Sequence, residues 1–231
     1  MKKLLKIPAL LFAIMLIVSS CGNETKSESE SKSESKSESE SKSESKSEAK
    51  SDADILISIK NIEKPEGWFD NNTDNAVTEN LKKISKNNPK VQVADVIDDW
   101  NNKVDKVLFF YTKYDLSKHY GVSPTINVTL IKNIYDKSLE DLASEGQNVM
   151  EELKKIGMEE VSLEKIGYIN LNSGIKAVEF KSSFKIPGFS EKVNSSIYSY
   201  LISKDLIVQL SFSDLDNDKC DDIYKDILDK L

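Results

Sequence analysis

The sequence predicts an α+β domain over residues 53–231, in which an antiparallel β-sheet packs with helices. Two segments, one at 139–156 and one from about 218 onwards, carry apolar residues at helical spacing. Other segments alternate between apolar and polar residues, as strands with one buried face do. Most of these strands are grouped in the last third, with helices before, between and after them, and this order favours an α+β domain with an antiparallel sheet.

The first half of the domain combines short strands with helical segments. Residues 55–59 predict a strand, which ends at the turn sequence Pro-Glu-Gly-Trp at 65–68. Residues 107–111 predict a buried strand. Between these two strands, one helical face carries the apolar residues Val93, Val96, Ile97, Trp100 and Val104.

The segment 139–156 has the clearest helix signals. Ser138 is a suitable N-cap, and Asp141 three residues later completes a capping box. Gly157 suits the left-handed residue that ends a helix, whereas Gly146 in the middle weakens it. For the C-terminal helix, the residues expected to provide the cap are Asp216, Asn217 and Asp218.

The last third of the sequence predicts a meander of strands that leads into the C-terminal helix. Its strands cover about 165–171, 175–186, 195–203 and 206–213. Together with an alternating strand at 123–133, they would form one sheet. The 139–156 helix and the C-terminal helix are both expected to cover one face of that sheet.

Three short segments resemble the PsbP-like fold, a family that includes extrinsic photosystem proteins and many bacterial lipoproteins. They are residues 65–68 after the first strand, the sequence Ser-Pro-Thr-Ile-Asn-Val at 123–128, and the final strand pair followed by a helix. The resemblance looks closest to PsbP-related lipoproteins of clostridia and covers most of residues 54–231. It implies a non-catalytic assembly or binding factor, by analogy of fold.

The N-terminus has the features of an exported bacterial lipoprotein. Residues 1–20 combine an N-terminal group of lysines, an apolar run and two small residues, which is the order of a signal peptide. The run is short for a membrane-spanning helix. Val18, Ser19, Ser20 and Cys21 resemble a lipobox, which implies that the Cys21 sulfur receives diacylglycerol and anchors the chain to the cell membrane on its extracytoplasmic face. The alternative is an ordinary secretory signal followed by a chance cysteine.

Residues 21–52 predict the lipidated cysteine followed by a disordered tether. The unit KSESESKSES occurs at 26–35 and again at 36–45, and none of its side chains can join a core. A flexible chain of about 30 residues spans roughly 30 Å. A spacer between membrane and domain is therefore favoured over a ligand-binding or phosphorylated repeat.

Composition excludes some classes of partner. The formal net charge is −7, and loss of Lys2, Lys3 and Lys6 with the signal would change it to −10. An acidic protein is poorly suited to nucleic acid or to anionic membrane surfaces. All 32 basic residues are lysines, so no guanidinium can grip a phosphate bidentately. If Cys21 is lipidated, Cys220 is left without a partner for an internal disulfide.

The acidic segment near the C-terminus is the first candidate for chemistry. Asp214, Asp216 and Asp218 resemble the opening of an EF-hand calcium loop. Lys219 and Lys225 stand where that loop requires Gly and Glu, so helix capping is favoured and no metal site is predicted.

Other reactive residues are better explained by structure than by catalysis. His119, the only histidine, has no zinc motif or GxSxG elbow beside it and is expected in a surface loop. Acidic neighbours favour an inert thiol at Cys220. Tyr198 and Tyr200 share a strand face, where packing is favoured over a binding platform, and Trp68 is either a turn residue or part of a surface. No catalytic residue is assigned.

These patterns favour a membrane-anchored extracytoplasmic module for binding or assembly, whose partner the sequence does not identify, without enzymatic activity and without a cofactor. A receptor for a small ligand is the first alternative, and it predicts an apolar pocket with a few convergent polar groups. A cell-wall hydrolase is the second, and it needs a nucleophile or an acid pair in a cleft. Nucleic acid is not an expected partner.

Overall fold

The structure is a computed structural model, and it describes residues 59–71, 82, 85–86, 97–98, 102–119 and 122–231. The predicted signal peptide, Cys21 and the tether lie outside the described residues. The same is true of Trp100 and of most of the predicted helical stripe that contains it.

Seven strands form one antiparallel sheet in the described part of the chain. They are β1 (Phe69–Asp70), β2 (Val104–Thr112), β3 (Thr125–Lys132), β4 (Glu159–Asn170), β5 (Lys176–Lys185), β6 (Lys192–Ser203) and β7 (Leu206–Leu215). Two helices have both ends within the described residues, namely α1 (Leu139–Lys155) and α2 (Asp221–Lys230). The predicted α+β class with an antiparallel sheet is confirmed.

The strand order across the sheet is β1-β2-β3-β7-β6-β5-β4. Strands β4 to β7 pair consecutively, as the predicted meander requires. Strand β7 also pairs with β3, with Thr125 opposite Ser213 and Lys132 opposite Leu206. The last strand of the chain therefore lies in the middle of the sheet and joins its two halves.

Helix α1 begins and ends at the residues that the sequence predicts. The Asp141 backbone N–H donates to Ser138 Oγ at 3.1 Å, and the Ser138 backbone N–H donates to Asp141 Oδ2 at 2.9 Å. These reciprocal bonds satisfy two of the helix's first N–H groups. At the other end Gly157 has a φ of 94°, and the Met158 N–H returns to the Leu153 carbonyl at 3.0 Å.

The two helices lie on opposite faces of the sheet, so the prediction that both cover one face is wrong. On the α1 face, Val149 and Leu153 pack with Phe180. On the α2 face, the rings of Tyr224 and Phe212 stack with centroids 4.6 Å apart. The central strands explain this arrangement, because nearly every residue of β3 and β7 is buried. A sheet that is buried on both sides needs cover on both sides.

Two elements of the first half differ from prediction. Ile59 is helical and packs in the core of the α2 face, so the strand predicted at 55–59 is wrong at its last residue. The other residues of that predicted strand lie outside the described ranges. Val104 begins β2 instead of continuing the helical stripe, because its side chain packs into the core of the α1 face from an extended backbone.

The start of α2 also differs from prediction. Cys220 is the N-cap and makes no side-chain capping bond, so capping by Asp216, Asn217 or Asp218 is wrong. Asp214, six residues before Cys220 in the sequence, provides the capping acceptor instead. Its Oδ2 accepts a hydrogen bond from the Cys220 N–H at 3.3 Å.

Candidate functional site

A pocket lies on the α1 face, between the first half of α1 and strands β3, β5, β6 and β7. It is a small, partly open cavity, in which the centre of a water-sized molecule can move through about 30 Å³. Its apolar lining residues are Ile131, Leu142, Val178, Phe180, Ile197 and Ile207. Glu145, Gly146, Ser199 and Gln209 complete the lining. A mainly apolar cavity with a few polar groups is the usual form of a small-molecule site.

Gly146 sets the distance between α1 and the sheet. A Cβ atom at this position would lie 3.1 Å from Phe180 Cδ2 and 3.2 Å from Ile166 Cδ1. Both distances are below ordinary van der Waals contact, so a larger residue would push α1 away from β4 and β5. The sequence identified this glycine as a weak point of the helix, and the structure shows that it permits close packing beside the pocket.

Gln209 provides a hydrogen-bond acceptor in the pocket. It lies on β7 between Thr129 of β3 and Ser199 of β6, and only 3% of its surface is exposed. Within the described ranges, no donor reaches its Oε1 atom. A buried amide oxygen without a partner costs about 1–3 kcal/mol, so a donor on a bound molecule would recover that energy.

A row of polar side chains extends from the pocket along the α1 face of the sheet. Ser211, Ser195 and Ser182 are buried, and their Oγ atoms have no hydrogen-bond partner in the described part of the chain. Thr125 and Ser213 bond to each other at 3.0 Å. The α2 face of the same strands is apolar, with Ile126, Val128, Leu210 and Phe212. The polar residues of the alternating strands therefore form a buried strip on the α1 face.

A partly buried ion pair lies at one side of the pocket. Lys137 Nζ lies 2.7 Å from Glu145 Oε2, and the two side chains are 7% and 18% exposed. The Lys137 backbone N–H also donates to Asn133 Oδ1 at 2.8 Å, which fixes the turn before α1. Because the ammonium neutralises the carboxylate, the pocket presents no net charge to a ligand.

The sequence indicated an apolar pocket only under the small-ligand alternative, and it did not predict where the pocket lies or which residues line it. Two signals for it were present, namely a glycine in the middle of an amphipathic helix and a glutamine in a strand of otherwise apolar and small residues. Neither Gly146 nor Gln209 alone indicates a pocket, because glycines occur in ordinary helices and glutamines in ordinary strands. The pocket appears only when β3 and β7, which are distant in sequence, are placed side by side beneath α1.

The acidic segment, for which the sequence favours helix capping and predicts no metal site, forms a network of hydrogen bonds and ion pairs. Asp214 accepts hydrogen bonds from Asn194 Nδ2 at 3.1 Å, Lys219 Nζ at 3.2 Å and the Cys220 N–H. Burial raises the pKa of the Asp214 carboxyl above its ordinary value, although these partners oppose the change. Asp216 lies 3.7 Å from the same Lys219 ammonium.

Asp218 joins the start of α2 to the loop that follows β2. Its two carboxylate oxygens accept hydrogen bonds from Lys113 Nζ and from the Tyr114 hydroxyl. Burial would raise the pKa of Asp218, but these two donors outweigh it, and the pKa lies below its ordinary value. The three carboxylates of this segment thus face lysines and other donors. Across the described ranges, no group of three or more His, Cys, Asp or Glu side chains could hold a metal ion.

His119 and Cys220 lie near this network but do not form a reactive pair. The His119 ring stacks on Tyr114 with centroids 4.3 Å apart, and its Nε2 lies 3.2 Å from the Val122 carbonyl oxygen. Ser123 Oγ accepts the Tyr114 N–H, so it is engaged with the backbone. Cys220 is buried, and burial raises the pKa of its thiol. A raised pKa lowers the thiolate fraction on which nucleophilic attack depends.

Three aromatic residues considered in the sequence belong to the core of the α2 face. Tyr198 and Tyr200 are both buried there, and so is Trp68, which closes a turn by donating its N–H to the Pro65 carbonyl at 3.1 Å. The Tyr198 hydroxyl donates to Glu179 Oε1 at 3.2 Å. Burial raises the pKa of Tyr198 well above its ordinary value. None of these residues lines the pocket.

Helices long and apolar enough to cross a membrane are absent from the residues that the structure describes.

Comparison with known proteins identifies no family. No family model matches the chain, and no curated protein matches it. Among solved structures, the chain is similar to the crystal structure of LpqN of Mycobacterium tuberculosis, a protein described as involved in cell envelope biogenesis. The identity is 18% and the TM-score is 0.31. The match covers 53% of this chain and 65% of that chain.

Proposed function

We propose that the chain is a lipid-anchored extracytoplasmic binding protein, whose domain holds a small, mainly apolar and uncharged ligand in the pocket beneath α1. The observation that carries this proposal is the buried Gln209 Oε1 atom, which has no donor among the described residues and faces an apolar cavity. The neutral pair of Lys137 and Glu145 supports an uncharged ligand. The pocket thus favours the small-ligand receptor over the protein-assembly module as the more specific form of the binding hypothesis.

The absence of enzymatic activity is part of the proposal. The polar groups of the pocket are an amide, a hydroxyl and a carboxylate held by a lysine. These groups are suited to hydrogen bonding, whereas nucleophilic catalysis requires a nucleophile beside a base. Kinship with the PsbP-like lipoproteins is likewise proposed, on the short segments at 65–68 and 123–128 and on the α+β architecture.

Anchoring through Cys21 is proposed from the lipobox-like sequence at 18–21. When the full chain is expressed in a low-GC Gram-positive host fed an alkyne-bearing fatty acid, we expect label on the wild type and none on Cys21→Ala. We also expect Cys21→Ala to leave the membrane fraction. Equal labelling of both chains would refute the assignment of Cys21.

Gln209→Leu is expected to change ligand binding and stability in opposite directions. N-phenylnaphthylamine is a suitable probe because it is apolar, uncharged and has one N–H donor. Loss of the acceptor should weaken its binding about tenfold, the equivalent of one hydrogen bond of roughly 1.4 kcal/mol. Removal of an unpaired buried oxygen should raise the free energy of unfolding by about 1 kcal/mol. Fluorescence titration and urea unfolding measure the two effects.

Ser183→Ala is the matched control for Gln209→Leu. Its Oγ is also buried without a hydrogen-bond partner in the described part of the chain, but it lies on the α2 face. Probe affinity should therefore stay unchanged in Ser183→Ala. The charged analogue anilinonaphthalene sulfonate should bind the wild type more weakly than the neutral probe. If Gln209→Leu destabilises the fold and leaves probe affinity unchanged, the proposed pocket function is wrong.

A further inference from the structure

We propose that the turn between β3 and α1 contacts the bilayer, with the side chains of Ile134 and Tyr135 entering the lipid interface. This inference rests on the proposed lipid anchor, which would hold the domain close to a membrane surface. It adds to the proposed function a second, non-covalent membrane contact, placed beside the pocket.

The turn exposes two large apolar side chains next to each other. Ile134 is 53% exposed and Tyr135 is 46% exposed. Among the described residues, the other exposed large apolar side chains are Phe69, Leu163 and Tyr168, and each stands alone in the sequence. Tyrosine is enriched at membrane interfaces, because its ring is apolar and its hydroxyl remains hydrated.

The turn is held rigidly by Asn133. Its backbone N–H donates to the Asp205 carbonyl at 2.8 Å, and its Nδ2 donates to the carbonyls of Lys204 and Lys137 at 2.8 and 3.0 Å. These bonds tie the turn to the neighbouring turn between β6 and β7. The two exposed side chains therefore project from a fixed base, and their insertion would order little additional backbone.

The size and charge of this surface favour a bilayer over a protein partner. A stable protein interface buries about 800 Å² on each side, far more than two side chains provide. Lys132 and Lys204 flank the turn, but Asp136 and Asp205 balance them. The contact should therefore depend on apolar insertion and not on lipid charge. A weak insertion suffices when a covalent lipid already keeps the domain near the membrane.

The same turn connects to the pocket through Lys137. The Lys137 ammonium lies 5.5 Å from the centroid of the Tyr135 ring and forms the ion pair with Glu145, which lines the pocket. Ile131 and Ile207, at the ends of β3 and β7 next to the turn, also line it. Contact of the turn with lipid would thus place this end of the pocket at the membrane surface, which makes the bilayer the source of its apolar ligand.

Tryptophan reporters in the full lipidated chain test the contact. Tyr135→Trp and Tyr168→Trp form a matched pair, because Tyr168 is 44% exposed on the edge strand β4. Each variant is reconstituted into phosphatidylcholine vesicles with brominated acyl chains, which quench tryptophan within the membrane. After subtraction of the wild-type signal from Trp68 and Trp100, we expect Tyr135→Trp to be quenched at least twofold more than Tyr168→Trp.

A third chain that combines Tyr135→Trp with Ile134→Ser should lose most of the additional quenching. Added anionic lipid or high salt should change the signal little. Equal quenching of the two reporters, or no association of the chain with vesicles, would overturn the membrane contact. Binding of N-phenylnaphthylamine by the wild type is measured without vesicles, so failure of the membrane contact is distinguished from failure of the pocket.

Discussion

Leu153→Ala is expected to lower the free energy of unfolding by about 3 kcal/mol. Leu153 is fully buried on the inner side of α1, where it packs in the core of the α1 face with Phe180 and Phe184. Truncation removes apolar contacts and leaves a cavity. The cavity stays open because neither α1 nor the sheet beneath it can move enough to fill it. Urea unfolding followed by far-UV circular dichroism measures the loss.

Ile227→Ala is the corresponding change on the other face. Ile227 is buried on α2 in the core of the α2 face, and its truncation should cost about 2 kcal/mol. Because the sheet separates the two sites, the double variant should lose the sum of the two values, to within about 0.5 kcal/mol. A coupling above about 1 kcal/mol would mean that the helices share a core, and the opposite-face arrangement would then be wrong.

Ser199→Phe is expected to abolish probe binding. Ser199 is half-buried on β6, next to Gln209, and it lines the pocket. A phenyl group at this position would fill the space that N-phenylnaphthylamine occupies. We expect the fluorescence increase on titration to fall to the level seen with no protein. The larger side chain overfills the cavity and should lower the free energy of unfolding by about 1–3 kcal/mol, so far-UV circular dichroism must show that the variant is folded.

Ser162→Phe is the control for Ser199→Phe. It makes the same substitution in the same sheet, at an exposed position on the edge strand β4 and away from the pocket. Its probe affinity should equal that of the wild type. Full binding by Ser199→Phe, with the variant shown to be folded, would place the probe elsewhere and remove the support for this pocket.

Local signals predicted those parts of the fold that depend on neighbouring residues. The capping box at Ser138 and Asp141 and the stop at Gly157 are interactions within one helical turn, so the sequence carries them directly. The meander from β4 to β7 was predictable for the same reason, since short turns fix its pairing. By contrast, an apolar stripe predicts that one side of a helix is buried. It does not indicate which face of the sheet the helix packs against.

The parts that were not predicted depend on distant residues. The cap of α2 comes from Asp214, which lies outside the usual capping positions, because Asp218 is held by Lys113 and Tyr114. The pocket likewise needs β3, α1 and three later strands together. Polar residues on the inner side of β3 and β7 had the pattern of solvent-facing positions, and only the assembled sheet shows that they are buried.

Because β7 is both the last strand and the centre of the sheet, the domain cannot complete its fold until its C-terminal end is available. Thr125 and Ser213, which bond across the junction of β3 and β7, are separated by 88 positions in the chain. Contacts of such long range form late and slow the folding of a domain. A chain exported N-terminus first would therefore stay unfolded during translocation, which is the state that passage through a narrow channel requires, and would close its sheet only on the far side.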